Sequence, residues 1–357
     1  LLRTLVHPLS IVAICAGIIA ALMAAYPNET LQSALRGLAI WWEVLFPALF
    51  PFFVISELLL GLGIVHFFGK LLDPLMRPLF RLPGIGGFVV TMGYISGYPV
   101  GARLTAQLRE QRLVTRTEGE RLVAFTTTSD PIFLIGAVSV GFFHNAALAP
   151  LLAAAHYGGG LAIGFLMRFY GASKRSGMAA RSEAQPSLPP RRERRLRAAL
   201  KAMHEARLLD GRHGGKLLQD AVQSALRLMI VVGGLVVFFS VVMEMLTRAG
   251  LVQALMEATR AVFGWFGLPA ALADAGIYGL FEVTLGAKAA GSAEAGLMHR
   301  AALAAWVLSW GGLSVHAQIA SLLSGTDLRY MPLLLSRLVH GFLSAALVYL
   351  LWGWLAP

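Results

Sequence analysis

The sequence predicts an all-α polytopic membrane protein. It is built as two inverted repeats, each about three transmembrane helices plus a re-entrant helical hairpin, with one extra N-terminal helix. Three observations predict this. First, the 357 residues are 57% hydrophobic and only 14% charged, with mean hydropathy +0.68, whereas a soluble chain carries about 25% charge. Second, apolar runs of roughly 20 residues, the length that crosses a bilayer, recur along nearly the whole chain. Third, two apolar stretches, 82–103 and 268–288, are interrupted by glycine or proline every few residues. Unwound backbone at membrane depth is tolerated only where it lines a cavity or is buried in protein.

Charge narrows the class further. The net charge is +11, yet residues 171–216 hold 12 Lys and Arg against 4 Asp and Glu, so most of the excess lies in one hydrophilic loop. Loops rich in Lys and Arg stay cytoplasmic, and this one also suits an anionic lipid surface. It lacks the interleaved aromatics of a nucleic-acid binder, so no nucleic-acid partner is expected. Cys15 is the sole cysteine, which excludes intrachain disulfides and cysteine metal sites. The sequence holds no HExxH, Walker loop or GxSxG, so neither an enzyme nor an ATP-driven pump is expected. No metal site or resident cofactor is expected either; a coupling cation is the one small ion the class allows.

Residues 1–37 form the first unit, an apolar helix at 9–25 and a link, YPNETLQ, that reads as a turn. The helix is expected to be retained, because the next span follows after a short polar link. The first repeat, 38–170, starts with a span at 40–62 that carries Pro47, Pro51 and Glu57. Residues 64–82 alternate apolar with basic side chains and belong at the interface. Next come the breaker-rich stretch LPGIGGFVVTMGYISGYPVGAR, a polar helix at 103–121, a span at 122–143 broken by Asp130-Pro131, and a Gly/Ala-rich span at 146–169. The basic loop, 171–216, reads as a linker ending in a surface helix. Residues 217–357 form the second repeat.

The repeat is legible in spacing. FFVISELLLGLGIV aligns with FFSVVMEMLTRAGLV, which matches Glu57 to Glu244. Pro83 to Gly93 and Pro269 to Gly279 are both ten positions, and Gly101-Ala102-Arg103 matches Gly286-Ala287-Lys288. Matches in the same order argue for duplication. With the basic loop in the cytoplasm, the Arg-rich 103–121 stretch falls on the same side and its second-half counterpart outside, so the two hairpins enter from opposite faces.

Half-helix ends near the midplane offer backbone N–H groups and partial positive charge, which suit an anion. The candidate ligand-facing residues are Ser96, Gly97, Tyr98 and Arg103 in the first hairpin, and Glu282, Thr284 and Lys288 in the second. The glycines serve either close backbone approach or helix packing. Glu57 and Glu244 are buried-charge candidates that either act within the membrane or reach its interface. Asp130 sits in TTTSDPIF with Ser129, where the hydroxyls hold a ligand or bond their own helix. SWGGLSVHAQIAS offers Gly312, Ser314, His316 and Gln318, with His316 either a proton carrier or a buried neutral side chain. Arg103 and Lys288 either attract an anion or mark the hairpin ends.

MGYISGYPVGARLTAQL followed by LVAFTTTSDPIFLIGAV resembles the first Gate, or nucleoside-recognition, domain of the YlbJ family of sporulation integral membrane proteins. GLFEVTLGAKAA and WGGLSVHAQIAS are similar to that family's second-half motifs. Residues 38–355 carry the resemblance. TTTSDP departs from the Asn and Gly that the family's pattern places near the proline. The resemblance implies the paired-hairpin plan of concentrative nucleoside transporters. It also implies a secondary carrier moving dipicolinic acid across the outer forespore membrane, with the basic loop facing the mother-cell cytoplasm. By position it implies Ser96, Gly97, Pro99, Gly101, Ser129, Pro131, Glu282, Gly286, Gly312, Ser314 and Gln318 as motif residues. The expected partners are the lipid bilayer and a small anionic solute, and the class admits a homo-oligomer. A nucleoside symporter and a non-transporting membrane scaffold stay open as alternatives.

Overall fold

The computed structural model of the protein describes residues 8–171 and 192–355, and every regular element among them is helical. The start of the basic loop, 172–191, and Arg3 lie outside the described residues. Helix α1 (Pro8–Ala25) meets α2 (Pro27–Ala39) at a bend of 106°. α2 runs without interruption through wider turns at Ile40–Leu45 into α3 (Phe46–Gly61). The widening has a cause in sequence. Pro47 has no N–H for the Glu43 carbonyl four residues back, and the helix absorbs this by bonding Phe46 N to Trp41 O, one residue further. At Gly63, in the left-handed conformation (φ 77°), the chain turns into the amphipathic helix α4 (Ile64–Phe80).

The breaker-rich stretch is a pair of helices, α5 (Gly86–Ser96) and α6 (Tyr98–Glu110), joined at Gly97. Gly97 has φ 88° and ψ −177°, a region essentially closed to residues with a Cβ. α7 (Arg116–Thr126) follows a turn and begins with a capping box. Thr115 Oγ1 accepts the Glu118 amide, and the Glu118 carboxylate accepts the Thr115 amide, an arrangement worth about 1 kcal/mol. Residues 127–130 are unwound. Pro131 then opens wide turns over Phe133–Phe142, and α8 (Ala149–Met167) closes the first half.

In the second half, α9 (Arg192–Asp210) lies against α4. α10 (Gly214–Arg248) is the longest helix described, at 35 residues. α11 (Leu251–Trp265) starts after another left-handed glycine, Gly250 (φ 74°). α12 (Ala273–Phe281) and α13 (Val283–Ser292) meet at the extended Glu282, and α14 (Leu297–Trp310) and α15 (Gly312–Leu323) meet at Gly311, φ 87°. α16 (Met331–Leu355) ends the described chain. Residues 146–167, α10 and α16 are each long and apolar enough to cross a membrane, and two bent pairs, 13–43 and 53–80, raise the number to five.

Two readings of the sequence are corrected. YPNETLQ is no turn: only Tyr26 is non-helical, and Pro27 is the first residue of α2, where its missing N–H costs nothing. The 103–121 stretch is not one helix, since Thr115 caps a new start and Arg112 is left-handed between the two pieces.

One buried cluster packs α8, α13, α14 and α16 together, and a second packs α3, α5, α7 and α10. Trp41 ties the N-terminal helices to the second cluster. Its Nε1 donates to Met229 O at 3.0 Å, and its ring fills the space where Gly233 has no side chain.

Candidate functional site

The helix breaks converge on one cavity of about 280 Å³. The joint of α5 and α6 contributes Gly97, Tyr98 and Pro99, and the unwound strand after α7 contributes Ser129 and Asp130. Glu282 and Thr284 enter from the joint of α12 and α13, and Ser314 and Gln318 from α15. Val232 and Val236 of α10 close one wall. Two regions 185 residues apart in sequence, at 97 and 282, thus meet at one place.

The two acidic residues are held by the helix starts behind them. Asp130 Oδ1 accepts the Phe133 amide at 2.8 Å, and Glu282 Oε2 accepts the Leu285 amide at 2.7 Å. Each carboxylate therefore occupies the N-terminus of its own half-helix, where partial positive charge stabilises it. This alters one expectation. The half-helix ends do not wait for an anionic ligand, because protein carboxylates already cap them. No lysine or arginine is among the cavity's lining residues.

Seven of the sixteen binding candidates lie off the cavity wall. Ser96 is buried just behind Gly97, with its hydroxyl unpartnered. Gly101 faces the Thr126 carbonyl, which a Cβ would meet at 2.2 Å. Gly286 faces the Gly279 Cα, also at 2.2 Å. Gly312 packs against the Glu282 backbone, which a Cβ there would meet at 2.9 Å, so its lack of a side chain sets where that carboxylate stands. His316 bonds the Tyr330 hydroxyl and lies 4.1 Å from the Trp310 ring. Arg103 turns to Glu57 at 2.8 Å and to Ser224, while Lys288 is exposed. Of the two other acidic candidates, Glu57 is spent in that Arg103 pair, and Glu244 pairs with Arg36 at 2.8 Å and Arg248 at 3.0 Å.

The unwound strand is held from behind by residues that the sequence reading passed over. His156 Nε2 accepts the Ser129 amide at 3.0 Å, which places the ring proton on Nδ1, 2.8 Å from Ser309 Oγ. Ser309 donates to Ser344 at 2.8 Å. Tyr157 donates to the Ser129 carbonyl at 3.1 Å. Arg337 donates to the Thr127 carbonyl and approaches His340 Nδ1 at 3.2 Å, and His340 Nε2 in turn donates to His156 O at 2.8 Å. Side chains of α8 and α16 thus satisfy backbone groups of the break, as buried unwound chain requires. A signal was available: Arg337, His340 and His156 all interrupt apolar runs, and ionisable groups there are functional by default.

The Gate family model, described as nucleoside recognition, matches residues 42–155 and 229–325. Over 328 residues the chain is 44% identical to the sporulation integral membrane protein YlbJ of Bacillus subtilis (strain 168), an alignment covering 92% of this chain and 79% of that protein. No solved structure matches. The matched segments contain all four helix breaks, and with this identity along nearly the whole chain, the protein belongs to the YlbJ family of Gate-domain proteins.

Proposed function

We propose that the protein is a secondary carrier that moves a small polar solute across a membrane by alternating access, with the cavity at the hairpin joints as the solute site. One observation carries the reading: two separate helix breaks each bring a carboxylate, Asp130 and Glu282, to one cavity inside an apolar helical body. Broken helices and ionisable groups in such a setting mark substrate and ion pathways. A volume near 280 Å³ is at the lower end of ligand sites and fits a single-ring solute.

The inverted-repeat plan supports the same reading. Each half runs through a left-handed glycine bend, at Gly63 or Gly250, then an amphipathic helix, a joined helix pair, a second break and a long closing helix. The Gate model also matches one segment in each half.

For the solute, we favour dipicolinic acid crossing the outer forespore membrane, with the basic loop toward the mother-cell cytoplasm. The name of the Bacillus subtilis relative, a sporulation integral membrane protein, supports that setting. A dianion among carboxylates needs positive charge, and neither Arg103 nor Lys288 lines the cavity. Protons or a cation therefore accompany it. The second reading is a nucleoside symporter, favoured by the acidic lining and the nucleoside-recognition description of the family.

Purified protein in liposomes should take up dipicolinate, and Glu282→Ala should lower uptake at least tenfold at equal protein content. Uptake by that variant at the unaltered rate refutes the site. Uptake of uridine with no uptake of dipicolinate selects the nucleoside reading.

A further inference from the structure

Arg337 is the largest fully buried side chain described, 1% exposed, and it has no carboxylate partner among the described residues. A buried cation without a counter-ion carries a large desolvation cost even after local relaxation, so its retention calls for a reason. Its Nη1 is committed to the Thr127 carbonyl and His340, but Nη2 has no partner. The guanidinium lies over the Tyr98 ring, 5.5 Å from the centroid, and Tyr98 lines the cavity. Nη2 also lies near Gly311, 3.5 Å from where a Cβ on that residue would stand. Arg337 therefore stands behind Tyr98, beside both second breaks.

It is not the only unspent group there. Ser96 Oγ, next to the Gly97 joint, and Ser129 Oγ, on the cavity wall, are buried without partners, as are Tyr94 Oη and His316 Nε2. Arg337 lies within electrostatic reach of Tyr94, Tyr98 and His316. Four of these five groups are donors in their ordinary protonation states, and His316 Nε2 is one when it carries the ring proton. Unspent donors at the cavity, with a fixed cation behind its Tyr98 wall, have the chemistry of a site for an acceptor-rich, negatively charged group.

We propose that Arg337 is the anion anchor of the carrier: a carboxylate of the transported solute docks on its free Nη2 edge, with Ser96 and Ser129 completing the donor set, once the Tyr98 side chain moves aside. The Tyr98 hydroxyl donates to Leu308 O at 2.5 Å, so that side chain is latched over the anchor in the state described. Arg337 supplies part of the positive charge that neither Arg103 nor Lys288 brings, and the accompanying protons or cation supply the rest. This proposal rests on the carrier reading and assigns it a solute class, an organic carboxylate, where the cavity lining alone favours a neutral one.

The test uses the full chain in detergent and reads binding by calorimetry. The probes are pyridine-2,6-dicarboxylate, its neutral diamide and uridine. The proteins are the unaltered chain, Arg337→Lys, Arg337→Gln, and Arg103→Gln as an off-site control. The expected result is dicarboxylate binding that the diamide does not reproduce, weakened at least tenfold in Arg337→Gln, partly kept in Arg337→Lys and unchanged in Arg103→Gln. If Arg337→Gln fails to fold, the lysine variant decides: an anchor keeps the preference for dicarboxylate over diamide at lower affinity. Equal dicarboxylate affinity in the Arg337 variants and the unaltered chain overturns the anchor while leaving the carrier intact. So does weakening of uridine and dicarboxylate alike, which is the mark of a purely structural clamp. Binding of uridine alone by the unaltered chain overturns the anchor and selects the nucleoside carrier. Binding of no probe by the unaltered chain overturns the carrier reading and the anchor together.

Discussion

Glu120 shows how much one side chain decides. Its carboxylate is fully buried, yet it accepts from Arg329 Nε at 2.9 Å and Nη2 at 3.0 Å, from the Arg329 amide at 3.0 Å, from Tyr170 at 2.8 Å and from Arg116 at 3.1 Å. Burial alone would raise this carboxyl, but the Arg329 bonds, with Tyr170 and Arg116, hold it at about 2 against an ordinary 4.5. A depressed carboxylate contributes stability above its unfolded pKa and loses it as pH falls. The contribution is therefore complete above about pH 4.5 and gone below about pH 2. Glu120→Gln should cost about 1–3 kcal/mol at neutral pH and flatten thermal stability between those limits, measured by melting in detergent at stepped pH. A melting curve as acid-sensitive as that of the unaltered protein refutes this role. Nothing in the string RTEGERL singles out Glu120 over Glu118. One caps a helix and the other holds a distant loop, and only the approach of Arg329, 209 residues on, separates them.

At the scale of elements, the hairpin joints depend on what is missing from two glycines. Gly97 has φ 88° with ψ −177°, and a Cβ there would also meet Asp130 Oδ2 at 3.3 Å. Gly97→Ala should cost about 1–3 kcal/mol from backbone strain and displace Asp130 from the cavity. Gly101→Ala forces a Cβ to 2.2 Å from the Thr126 carbonyl, which is backbone and cannot swing away. Overpacking of this kind costs about 1–3 kcal/mol or more, and separation of α6 from α7 should abolish solute binding. Both variants are checked by melting temperature and solute affinity. An unchanged Gly101→Ala protein would show that the two helices do not approach as described. The breaks were legible because glycine and proline leave a composition signal. The start of α2 was not, because a proline after an aromatic residue reads equally as a turn and as the first residue of a helix.

Across the whole molecule, the loop before α16 is docked on the end of α6 and the start of α7. Arg109 holds Asp327 through two bonds of 2.8 and 3.0 Å, Arg329 holds Glu120, and Leu328 fills the space at Gly119. These contacts tie the second half to the first on the face that carries the Arg-rich stretch. Alternating access requires such a seam to part. In a Cys15→Ser background, a short thiol cross-link between Gly119→Cys and Leu328→Cys should stop uptake in liposomes, and reduction should restore it. Continued uptake by the linked protein would show that the seam stays closed throughout the cycle.

By itself the sequence determined the membrane class, the places where helices break and most of the polar groups that reach the cavity. Hydropathy, glycine, proline and spacing are local properties, and each leaves its mark in a short window. Only the tertiary structure decided which charges meet. It turned Arg103 away to Glu57, brought Asp130 and Glu282 to one cavity, and set Arg337 of the last described helix behind Tyr98 of the first hairpin. Electrostatic partners are fixed by distances of a few ångströms between segments some 240 residues apart in the chain. No window of sequence contains that distance, and it is the packing of α16 against α7 and α8 that sets it.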